Sequence, residues 1–101
     1  MTEAEQLFIK VSSGIAGAEK SQMFGKPCFK ADTKAFVCFF QDCMVFKLPS
    51  EERSEALALD GAHLFDPSGK GRAMKEWVQV PYHYHATWKK LAKAAYNFVA
   101  G

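Results

Sequence analysis

The run Gly69-Lys70-Gly71-Arg72 is the part of this sequence best suited to chemistry. Two glycines around a lysine let the backbone turn tightly and present its N–H groups, which can cradle an anion. The run lacks the GxxxxGK[ST] pattern of a phosphate loop and the GxGxxG dinucleotide fingerprint. The plainer alternative is a hairpin tip, with glycines at positive φ and basic side chains in water.

Other candidates are weaker. His83 and His85 flank one residue and could place two imidazoles on one side of an extended segment. A zinc site needs three or four ligands, and no cysteine pair stands at finger spacing. They read as partly exposed residues leading into the last helix. Cys28, Cys38 and Cys43 lie inside apolar runs. A nucleophilic thiol needs an electropositive, accessible setting and a base, so these read as buried, inert thiols. Glu51, Glu52 and Glu55 gather at a helix start, where the helix dipole accounts for them. Glu76 beside Trp77 has no evident partner acid for proton transfer. No catalytic residue, metal ligand or cofactor site is expected, and the chain reads as non-enzymatic.

Charge has one asymmetry. The net +2 divides into +4 over residues 66–101 and −2 over the remainder. Lys70, Arg72 and Lys75, with Lys89, Lys90 and Lys93 beyond them, could meet a polyanion, with the Gly71 amide alongside. Only two arginines are present, though, and base reading and phosphate clamping favour arginine. Lysines on a helix's polar face are ordinarily a solvated face.

These residues must be held by some set of elements. With 101 residues, half of them apolar and a quarter charged, the chain fits one domain, 1–101. The N-terminal MTEAEQLFIK is acidic and amphipathic, so no targeting segment is expected. No window approaches the roughly 20 apolar residues that cross a bilayer. An odd cysteine count argues for reduced thiols and a cytoplasmic setting.

Thr2 and Glu5 stand at capping-box spacing, and Ala4, Leu7, Phe8 and Val11 recur on one helical face that ends near Ser12-Ser13-Gly14. Three strands follow, at 23–30, 35–41 and 43–48, with turns at Asp32-Thr33-Lys34 and Gln41-Asp42. Ser50 is placed to cap a short second helix that stops at Asp60-Gly61. Strands at 63–66 and 74–80 are joined by the turn at Pro67-Ser68-Gly69. A last helix carries Trp88, Leu91, Ala92, Ala95 and Val99 on one stripe. The expected fold is α+β: a five-stranded antiparallel sheet, made of a three-strand meander and a hairpin, with N-terminal, middle and C-terminal helices.

In the middle strands, alternation sets Phe36, Cys38 and Phe40 against Val37 and Phe39, and both sets are apolar. A half-solvated sheet alternates apolar with polar, so both faces are expected to be covered. The cover is either the chain's own helices or a second subunit, and because three short helices need not cover both faces of five strands, a homodimer stays open.

The order of elements, with Met23-Phe24-Gly25, Phe46-Lys47-Leu48-Pro49, Gly61, Phe65, Gly71-Arg72, Met74 and Trp77 through Pro81, resembles the N-terminal domain of the TfoX/Sxy competence-regulator family. The resemblance spans essentially the whole chain and rests on dispersed structural residues. It implies a stand-alone domain of regulatory or protein-interaction type. The more distantly similar YjbR-like domains share the helix and hairpin plan. For them DNA binding through paired wings has been suggested, which makes weak, sequence-independent nucleic-acid binding the second expectation.

Overall fold

The computed structural model describes residues 2–23, 25–67, 69, 71 and 73–101. Helix α1 spans Glu3–Ser13, and the Thr2 hydroxyl accepts the Glu5 amide at 3.1 Å, as the capping spacing predicts. The same hydroxyl donates to the Asp42 carboxylate at 3.0 Å, tying the helix start to a distant hairpin.

Among the described residues the sheet has six strands rather than five: β1 Glu19–Met23, β2 Lys26–Ala31, β3 Lys34–Phe40, β4 Cys43–Lys47, β5 His63–Phe65 and β6 Met74–Pro81. All neighbours are antiparallel, in the order β1-β2-β3-β4-β6-β5. The additional strand arises where one strand is expected over 23–30. Gly25 at φ 74° reverses the chain there, so Met23 pairs back with Lys26. The strand it creates, EKSQM, is a polar edge strand with no apolar alternation to betray it.

The β2–β3 and β3–β4 hairpins turn on two residues each, Asp32-Thr33 and Gln41-Asp42, all four at positive φ. That is the type I′ geometry whose twist matches paired strands, and it favours Asn-Gly. Thr33, β-branched at φ 73°, is the most strained of the four. Thr33→Gly should therefore stabilise the domain by about 0.5–1 kcal/mol, the relief outweighing glycine's greater unfolded-state entropy. The check is a higher urea midpoint at unchanged slope; an unchanged or lower midpoint would show that the turn is not strained.

Helix α2 spans Ser50–Leu57. Its N-cap is Pro49, not Ser50, which is already helical. The proline's φ of −69° sets the entry without a side-chain hydrogen bond. The helix also ends earlier than Asp60-Gly61, with Ala58 as C-cap. A 3₁₀ segment, Tyr82–Thr87, leads into α3, Trp88–Ala100. Of the expected stripe, Trp88, Leu91, Ala92 and Ala95 are buried and Val99 is half-buried, while Lys89, Lys90 and Lys93 are exposed.

The helices pack on one face of the sheet. There Phe8, Phe36, Val37, Met44, Phe46, Leu48, Val78, Val80 and Trp88 form the larger core with Leu91, Ala92 and Ala95. The other face carries a second, smaller core of Cys28, Cys38, Val45, Phe65 and Trp77, with Met23, Ala35, Phe40 and Met74 against it. Every strand contributes to that cluster, so the sheet curls and buries its own second face. Phe40 of β3 meets Phe65 of edge strand β5 edge-on at 5.4 Å. Simple alternation fails at two places, between β5 and β6, where Leu64 pairs with Val78 but Phe65 with Met74, and between β2 and β3. Phe29 pairs with Val37 but Lys30 with Ala35, which leaves Phe36 as an extra residue in a β-bulge. The bulge moves Phe36 from the side of Cys38 and Phe40 to the helix-covered core. One chain thus covers both faces of its sheet with its own residues.

Candidate functional site

The glycine-flanked loop is organised around its own carboxylate. Asp66 sits at the end of β5, and its two oxygens accept the Gly69 amide at 3.1 Å and the Gly71 amide at 2.8 Å. Both glycines adopt positive φ, at 67° and 80°, which turns their N–H groups inward. The amides that could have cradled an external anion are thus taken by an internal one, and Gly71 presents no free donor there. Lys70 and Arg72 lie outside the described residues. The remainder of the opening run behaves as a core strand: Trp77 packs in the second core and Val80 in the first.

The expected basic patch is divided. Lys75 is exposed on β6, the strand that packs against α2. Lys89 and Lys93, one helical turn apart on α3, instead border a groove between α1 and α3. Lys90, on the adjoining stripe, does not line it. Their partner across the groove is Lys10 of α1, and His85 stands one turn before Lys89. The floor is apolar, from Leu7, Val11 and Ile15. Gly14 and Ala16 keep the exit of α1 low, and the volume is about 720 Å³.

Each helix delivers these residues for a local reason. On α1, Leu7, Lys10, Val11 and Gly14 recur at i, i+3, i+4 and i+7, a stripe beside the buried Ala4 and Phe8. On α3, the lysines flank the buried stripe of Leu91, Ala92 and Ala95. No acidic side chain lines the groove among the described residues. The described ion pairs join Glu76 to Lys47 and to Arg53, both at 3.9 Å, so Lys10, Lys89 and Lys93 are not neutralised by them. The result is a cationic rim above a half-buried apolar floor. Lys10 and His85 were missed as partners of the α3 lysines. The one signal for Lys10 in the sequence is its place on the Leu7–Val11 stripe.

The remaining sequence candidates stay apart. His83 and His85 are exposed and turn to different rings, His83 edge-on to Tyr84 at 4.9 Å and His85 stacked on Tyr82 at 4.8 Å. No three His, Cys, Asp or Glu side chains gather as a ligand set among the described residues. Glu76 is exposed and ion-paired. Cys28 and Cys38 are free and buried, whereas Cys43, expected to be buried, is only partly so. Its place next to the Gln41-Asp42 turn opens it to solvent. Burial pushes the Cys38 thiol up to about 12, helped by neighbouring Cys28 and opposed by Lys26. The Cys28 thiol is also raised by burial, against Lys30 and a hydrogen bond with Ser21. Neither thiol is an activated nucleophile.

A second cavity of about 460 Å³ lies on the opposite side of the hairpins, between Phe40, His63, Asp66 and Gln79. It mixes one acid with one imidazole and has no dominant charge. No helix among the described residues is long and apolar enough to cross a membrane. No protein-family model, curated protein or solved structure matches the chain.

Proposed function

We propose that this chain is a non-enzymatic interaction domain of regulatory type, acting in the cytoplasm, and that its contact surface is the α1/α3 groove. The observation that carries the reading is the pairing of a three-lysine rim with a half-buried apolar floor and no acid in the lining among the described residues. Such a surface fits an acidic protein segment with one apolar face, laid against the helices as in helix-in-groove recognition. The resemblance to the TfoX N-terminal domain supports the regulatory character. The binding unit in this reading is one chain, which covers both faces of its sheet with its own residues.

Nucleic-acid binding through α3 is the second reading, favoured by the exposure of Lys89, Lys90 and Lys93 together. Those three charges would give a log K against log salt slope of about −3 on duplex DNA. The apolar floor counts against it, because a phosphate backbone leaves that surface wet.

Fluorescence anisotropy at about 50 mM salt separates the two. A labelled helical peptide with glutamates on one face and leucines on the other should bind, and the double change Lys89→Glu and Lys93→Glu should abolish binding without altering the urea midpoint. Binding of duplex DNA with no binding of the peptide would replace the first reading with the second.

A further inference from the structure

We infer that the α1/α3 groove is a site for a small anionic amphiphile, a molecule with one carboxylate or phosphate head and an apolar chain. The inference rests on the reading of this groove as the contact surface, and adds a small-molecule ligand that would compete with a protein partner there.

The groove has two chemically distinct zones. Leu7, Val11 and Ile15 follow one another along the α1 side and are half-buried. Leu7 and Val11 are one turn apart, about 6 Å along the axis. Lys10 on one wall, with Lys89 and Lys93 on the other, puts ammonium groups from two helices around that strip. A bare anion would satisfy the lysines and leave the floor in water. A neutral hydrocarbon would do the reverse. A charged head on an apolar chain satisfies both zones at once.

Size points the same way. A volume of about 720 Å³ lies within the roughly 300–1,000 Å³ of small-molecule sites. Lys89 and Lys93 are like charges one turn apart, an arrangement that disfavours the free helix and that an anion between them relieves. Their side chains are exposed and long, so they can fold over a head group while their methylene stems extend the apolar wall.

The full chain is titrated with decanoate below its micellar range, with decyltrimethylammonium, with acetate, and with phosphatidylglycerol vesicles, and followed by amide chemical shifts. Decanoate should move the Leu7, Val11, Ile15, Lys89 and Lys93 signals, and neither the cationic analogue nor acetate should. Lys89→Glu with Lys93→Glu should weaken decanoate by about tenfold or more, as expected when charge-assisted contacts are lost. Both positions are exposed, so the fold persists and the native amide pattern verifies it. Decanoate binding that ignores this double change, acetate binding as well as decanoate, or vesicle binding without binding of free decanoate would each overturn the inference. So would self-association that excludes decanoate from the groove. If the acidic peptide binds and decanoate does not, this inference fails and the interaction reading stands. If decanoate binds and the peptide does not, the protein-partner reading fails and the ligand site stands.

Discussion

Phe36→Ala should destabilise the domain by about 3–5 kcal/mol, the range for removing a fully buried aromatic ring. Phe36 is completely buried, and its ring meets Tyr96 of α3 edge-on at 5.2 Å with planes 88° apart. The size of the loss alone does not locate the ring, because both faces of the sheet are packed. A double-mutant cycle does. Phe36→Ala combined with Tyr96→Ala should show a coupling of about 0.5–1.5 kcal/mol, as aromatic pairs give beyond their area. The companion cycle with Phe65→Ala should be close to additive, since Phe65 belongs to the other core. Coupling to Phe65 and not to Tyr96 would place Phe36 where simple alternation puts it and remove the bulge.

Alkaline pH should weaken this fold through Cys38. Its thiol has the ordinary value of 9.0 when unfolded and is held up to about 12 in the native state, chiefly by burial. Below 9.0 both states keep the proton and the stability is fully present. Between 9.0 and 12 the unfolded chain releases a proton that the native chain retains. Stability therefore falls as pH rises, by about 1.4 kcal/mol per pH unit from this group. Cys28, raised in the same direction, steepens the fall. Urea unfolding between about pH 8 and about pH 11 measures the slope, and Cys38→Ala cancels the contribution of every other group by difference. An identical slope in the variant would contradict the burial of this thiol. Thiol labelling supplies an independent check: Cys43 should react in the native state, and Cys28 and Cys38 only on unfolding.

The elements legible in the sequence are those whose signals are local. The α3 stripe of Trp88, Leu91, Ala92 and Ala95 follows from the helical period, because burial at that spacing is intelligible without knowing what covers it. The Asp32-Thr33 and Gln41-Asp42 turns were readable between apolar runs for the same reason, as was the Thr2 cap. Strand β1 was not, because a polar edge strand has no buried face to impose alternation. Its existence depends on Gly25 turning it back onto β2.

The sequence by itself determined the α+β class, the two-faced apolar character of the central strands, and which lysines of α3 face water. Tertiary structure alone decided three further matters. Pairing between β2 and β3 set the face of Phe36, because a bulge is a property of two strands and not of one. Curling of the sheet gathered the second apolar face into a core of its own. Packing of α1 against α3 brought Lys10 beside Lys89 and Lys93 from opposite ends of the chain. No periodicity records that meeting, since hydrophobic patterns specify which side of a helix is buried and not which polar flanks end up together.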